Sequence, residues 1–159
     1  IVLIVAGIDF NLPMPPLLRK GRDIDVIILF DSTAKIEGRE LKSITRYATE
    51  HGIPIPTIHA DSSHENIISV YDDNVDAPIL VYLPRIKNDN YNIDFDPGDC
   101  ASGDFCHTFN FEYNEEQVDL LTGLTEANMK QSIPVIQSVI KEAIRRRKAK
   151  LALQENVEK

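Results

Sequence analysis

Two unbroken apolar runs stand near the start of the chain. Residues 1–5 (IVLIV) are aliphatic throughout and close on Ala6-Gly7, and residues 25–31 (DVIILFD) are apolar between two acidic ends. Runs of this length and β-branched content predict buried strands, and a strand apolar on both faces suits a sheet covered by helices on both sides. Between them, Pro13, Pro15 and Pro16 remove donors and fix φ, so residues 10–16 predict an extended loop. Over residues 37–51 the period changes. Leu41, Ile44, Tyr47 and Ala48 share one face at helical spacing, and Gly52, Pro54 and Pro56 stop the helix. Residues 67–71 and 78–83 (PILVYL) predict two more strands, separated by an Asp/Asn turn cluster at 72–76. Residues 87–104 read as a long polar loop, and 109–113 as a short strand or extended segment. From Asn114 the pattern is helical: a piece over 114–121 with Asn114 as N-cap, a short piece over 125–131, then a long helix capped by Ser132 with Pro134 in its first turn. Val135, Ile136, Val139, Ile140, Ala143 and Ile144 form its predicted buried stripe. The basic run at 145–150 suits a helix C-terminus. The domain is expected to span residues 1–153, with 154–159 a frayed tail. Strands alternating with helices, then helices alone, predict one α/β domain without internal repeats.

The 159 residues are 43% hydrophobic and 26% charged, which is globular composition and enough chain for a core without staples. A net charge of −8 and the absence of tryptophan argue against nucleic acid as a partner, because a binder carries a basic face or aromatic stacking platforms. No apolar run approaches the ~20 residues of a membrane span. The opening stretch lacks the charged leader and small-residue cleavage site of a signal peptide. A chain that begins at Ile1, inside a strand pattern, reads as a piece of a longer protein.

Candidate chemistry is sparse. There is no G-x-S-x-G nucleophile elbow, and there is no glycine-rich phosphate loop. Cys100 and Cys106, followed by His107, are spaced more widely than zinc sites use; two free thiols is the reading, with a local disulfide the alternative in an oxidising compartment. Asp94, Asp96, Asp99 and Asp104 surround Gly98 out of step with a calcium loop. Residues 88–119 hold nine acidic side chains and no Lys or Arg, the mark of a solvated acidic face. His51, His59, His64 and His107 are scattered, and Ser63-His64 adjacency is not a nucleophile–base arrangement. The run Arg145-Arg146-Arg147-Lys148-Ala149-Lys150 reads as structural, with contact to an anionic membrane as its functional alternative. No metal and no cofactor are expected.

The segment Val5-Ala6-Gly7-Ile8-Asp9-Phe10-Asn11-Leu12-Pro13 resembles the C-terminal part of the catalytic domain of the cytosolic phospholipase A2 and lysophospholipase (phospholipase B) family, where V-D-S-G or V-D-A-G precedes F-N-x-P and a proline-rich loop. The likeness continues through residues 22–32, with Phe30-Asp31-Ser32 closing a buried strand. It runs on through the helix ending at His51-Gly52-Ile53-Pro54-Ile55-Pro56, and through Thr108-Phe109-Asn110-Phe111-Glu112-Tyr113, similar to the family's T-F-N-F-x-Y. The resemblance implies a patatin-like α/β fold, present here as its C-terminal part only, from an acyl-ester hydrolase that uses a Ser–Asp dyad. It also implies phospholipid or lysophospholipid as the parent enzyme's substrate, a missing N-terminal half as partner, and a cytoplasmic location with peripheral membrane contact. The family's serine lies upstream of this sequence. Aligned residue by residue, the dyad aspartate falls on Val5, which has no titratable group. The isolated chain is therefore expected to have no catalytic residue and no activity, as a fragment or as a degenerate remnant that binds a partner or a lipid surface.

Overall fold

The computed structural model describes residues 10–33, 38–107 and 109–157, with side chains through residue 155. Three strands form a mixed sheet: β1 (Val26–Asp31), β2 (Ser69–Tyr71) and β3 (Ile79–Pro84), in the order β1-β3-β2. β3 runs parallel to β1, from Val26 opposite Ile79 to Asp31 opposite Pro84, and antiparallel to β2, with Val70 opposite Val81. The helices are α1 (Arg39–Glu50), α2 (Pro97–Ala101) and α3 (Glu115–Val157), with a short 3-10 turn at Ala60–Ser62.

β3 lies between the other two strands and is buried at every position. Its alternate side chains therefore feed two cores. Leu80 and Tyr82 face α1, joining Ile27, Leu29, Leu41 and Ile44 with Leu12, Met14 and Leu18 of the proline-rich loop. Ile79, Val81 and Leu83 face α3, packing on Ile136, Val139 and Ala143. A third cluster of Phe95, Cys100, Cys106 and Leu124 sits in the loop beyond β3 against the start of α3. Each fully buried aliphatic side chain of this kind contributes about 1.5–3 kcal/mol.

The strand pattern and the α1 helix match the sequence expectation, and the structure departs from it in five places. β1 is buried on one face only: Ile27, Leu29 and Asp31 point inward, while Ile28 and Phe30 are exposed. The expected neighbour of β1, residues 1–5, lies outside the described residues. The loop at 87–104 contains α2, started by Asp96, whose carboxylate accepts from the Gly98 N–H, with Pro97 just inside. Residues 109–113 contain no described strand, which leaves the extended-segment alternative of that expectation. The three predicted C-terminal helices are one helix of 43 residues, because Ser132 does not cap: it is fully buried and its hydroxyl donates to the Asn128 carbonyl one turn back. The helix also runs past Leu153 to Val157, where fraying is expected. Asn114 does cap, reciprocally with Gln117: each main-chain N–H donates to the other's side-chain oxygen, at 3.0 and 2.9 Å. Of the predicted buried stripe, Ile136, Val139 and Ala143 are buried, whereas Val135, Ile140 and Ile144 are exposed.

Candidate functional site

In α/β sheets, chemistry gathers beyond the carboxyl ends of parallel strands. Here those ends are Asp31 of β1 and Pro84-Arg85 of β3. Asp31 is buried, and both its oxygens are engaged: Oδ2 accepts from the Tyr82 hydroxyl at 2.6 Å and Oδ1 from the Thr33 N–H at 2.9 Å. The Arg85 N–H donates to the Asp31 carbonyl and extends the ladder by one residue. Burial pushes the Tyr82 phenol well above its ordinary range, and its bond to Asp31 pushes the same way. Burial lowers the Arg85 guanidinium, opposed by Tyr113 and Asp31. The Phe30-Asp31-Ser32 motif therefore supplies a fixed strand terminus, with the carboxylate committed to structure.

The Phe10-Asn11-Leu12-Pro13 segment is clamped onto α1. The Asn11 main-chain and side-chain nitrogens donate to the two oxygens of buried Glu40, at 3.0 and 3.1 Å. Phe10 meets Tyr47 edge to face, with ring centroids 5.8 Å apart. Leu12 and Met14 anchor in the core. The prolines hold this loop extended, and the Asn11–Glu40 pair fixes its approach to the sheet. Val5, on which the sequence resemblance would place a dyad aspartate, lies outside the described residues.

The remaining candidates are structural in these surroundings. The hydroxyls of Ser63, Ser102, Ser132 and Ser138 donate to main-chain carbonyls. His51 stacks on Tyr47, with Nδ1 2.8 Å from the Tyr47 carbonyl; His107 Nδ1 accepts from the Phe109 N–H; His59 and His64 are exposed. Among the described residues no cluster of three potential ligands is placed to hold a metal.

Cys100 and Cys106 are joined in a disulfide, which corrects the free-thiol expectation. α2 and the turn after it bring their Cα atoms to 5.2 Å, within the range a disulfide spans. Sequence spacing alone does not reveal that fold-back.

The basic run is not at a helix end either, since α3 continues beyond it. Arg146 donates to Asp72 and Glu142, and Arg147 to Asp23 and Asp25. The bonds to Asp25 and Asp23 raise Arg147 above the usual guanidinium range. These arginines hold α3 to the sheet. A further polar node went unread in the sequence: buried Asn88 donates to Asn128 and Gln131, while Asn128 donates to the Ile86 carbonyl. Nothing in local periodicity marks residues 40 positions apart as partners.

No described helix is long and apolar enough to cross a membrane.

No family model matches the chain. Mouse cytosolic phospholipase A2 delta is 25% identical over 164 residues, covering 91% of this chain and 20% of that protein. Human cytosolic phospholipase A2 epsilon is 26% identical over 156 residues, covering 87% and 18% respectively. The fold aligns with human GIVD cytosolic phospholipase A2 at a TM-score of 0.74 and 21% identity, over 90% of this chain and 21% of that one. A structure of the same human protein with methyl gamma-linolenyl fluorophosphonate aligns at 0.71 and 23% identity, over 91% and 24%. The chain thus spans about a fifth of the length of the curated relatives it matches. The chain is thus similar to cytosolic phospholipases A2 over most of its own length, and the α/β fold is the one it shares with them.

Proposed function

We propose that residues 1–153 are the C-terminal portion of a lipid acyl-ester hydrolase of the phospholipase A2 or lysophospholipase type. Its parent acts on phospholipid or lysophospholipid in peripheral contact with membranes, and this chain alone does not hydrolyse lipid. The family assignment rests on one observation above others: the motifs at 5–13, 22–32, 51–56 and 108–113 fall in family order along a chain matched over 91% of its length. Inactivity follows from chemistry. A dyad needs a hydroxyl nucleophile and a carboxylate that takes and returns its proton. G-x-S-x-G is absent from this sequence, and Val5 stands where the carboxylate aligns.

Val5 also favours a second reading, a degenerate remnant that binds a partner or a lipid surface. A chimera separates the two. This chain replaces the matched fifth of mouse cytosolic phospholipase A2 delta, and release of fatty acid from lysophospholipid micelles is measured. The Val5 chimera is expected to be inactive, and Val5→Asp to restore hydrolysis by orders of magnitude. A folded chimera inactive with either residue supports the remnant. Equal activity with both residues removes Val5 from the dyad position. The isolated chain should match a heat-killed control, because members of a catalytic unit do not act singly.

A further inference from the structure

α3 carries more apolar surface than the sheet covers. Ile133, Ile140 and Arg147 recur every seven residues, and Ile144 falls on the same side of the helix. Arg147 shows which side this is, because it reaches Asp23 and Asp25 at the start of β1. Arg146 reaches the other way, to Asp72 after β2. At the far end of the sheet, Asn128 bonds the Ile86 carbonyl beyond β3, so α3 runs antiparallel to β1 and β3. Ile28 and Phe30 of β1 lie on the sheet face that α3 packs against, opposite Val81 and Leu83. They are nevertheless 36% and 54% exposed, and Ile133, Ile140 and Ile144 are 41%, 44% and 51% exposed. These five side chains form an uncovered seam between β1 and the flank of α3. A contiguous apolar strip of this kind marks an interface.

We infer that this seam docks the remainder of a phospholipase A2-type catalytic domain, through an apolar segment laid against β1 and α3. The inference rests on the family reading above. The relatives are about five times as long as the region this chain matches, and most of this chain's own length is taken up by that match, so the occupant comes from the rest of such a domain. A net charge of −8 disfavours both a second copy and an anionic bilayer.

The test compares unfolding temperatures of the isolated chain and the mouse-delta chimera. Ile28→Asp and Ile140→Asp are exposed substitutions in the isolated chain and should shift its Tm by about 2 °C or less. In the chimera the same changes bury a charge and should lower Tm by about 5 °C or more. Val75→Asp, exposed in the turn between β2 and β3, should be silent in both. Small shifts in both contexts overturn the docking site while leaving the family reading intact. An unsubstituted chimera that does not fold overturns both. Dimerisation of the isolated chain by light scattering, or its binding to anionic vesicles, abolished by Ile140→Asp, assigns the seam to another occupant and overturns the proposal.

Discussion

Tyr82 and Asp31 show how much one buried bond constrains. The phenol is fully buried in the central strand, and its 2.6 Å bond is one of two that solvate a carboxylate at the end of β1. Tyr82→Phe keeps the ring and removes the donor, leaving Asp31 with only the Thr33 N–H of that pair. Leaving such a group short of a partner costs about 1–3 kcal/mol, so the midpoint of urea unfolding should fall with an unchanged slope. Gly38 caps α1 in the left-handed region. Its φ is +69°, and a Cβ there would run into the Ala60 carbonyl, so even alanine is expected to be strained at the entrance to α1.

Among the elements, the disulfide and α3 are where sequence and structure part. The unbroken apolar runs at 26–30 and 79–83 and the period-3.6 signal at 41–48 reveal β1, β3 and α1, because apolar burial there is set by neighbours close in sequence. The Cys100–Cys106 pairing and the Asn88–Asn128 node depend on chain reversals that local pattern does not encode. The clamp of Asn11 on Glu40 is equally illegible, being set 29 residues apart. Intact protein should take up no iodoacetamide until reduced. Cys100→Ser should cost about 2 kcal/mol on the chain-entropy account of so short a loop. In α3, Pro134 lies inside the helix, exposed, and removes one main-chain donor. Proline disfavours a helix interior by about 3 kcal/mol relative to alanine. Pro134→Ala should therefore raise the thermal midpoint. No change would mean that water satisfies the Lys130 carbonyl that this missing donor leaves unpaired.

Over the whole molecule, the cores on either side of β3 are joined by charge as well as by packing. Bonds from Arg145 and Arg146 hold the Glu142 carboxyl down to about 2, from an ordinary 4.5, and Arg147 lowers Asp23 in the same direction. A carboxyl depressed in the folded state stabilises above its unfolded value, and that contribution is lost as pH falls through its folded value. Stability should thus decline between about pH 4.5 and 2. Glu142→Gln should flatten that decline in Tm measured by circular dichroism, and added salt should weaken it, since Arg145 and Asp23 are exposed and Glu142 is partly so. Arg146 and Arg147 are adjacent in sequence yet tie α3 down on opposite sides of the sheet. A cylinder moored on both flanks cannot roll about its own axis. The rotational phase of the helix is thereby locked, and among the described residues nothing turns the greasy side of α3 away from solvent.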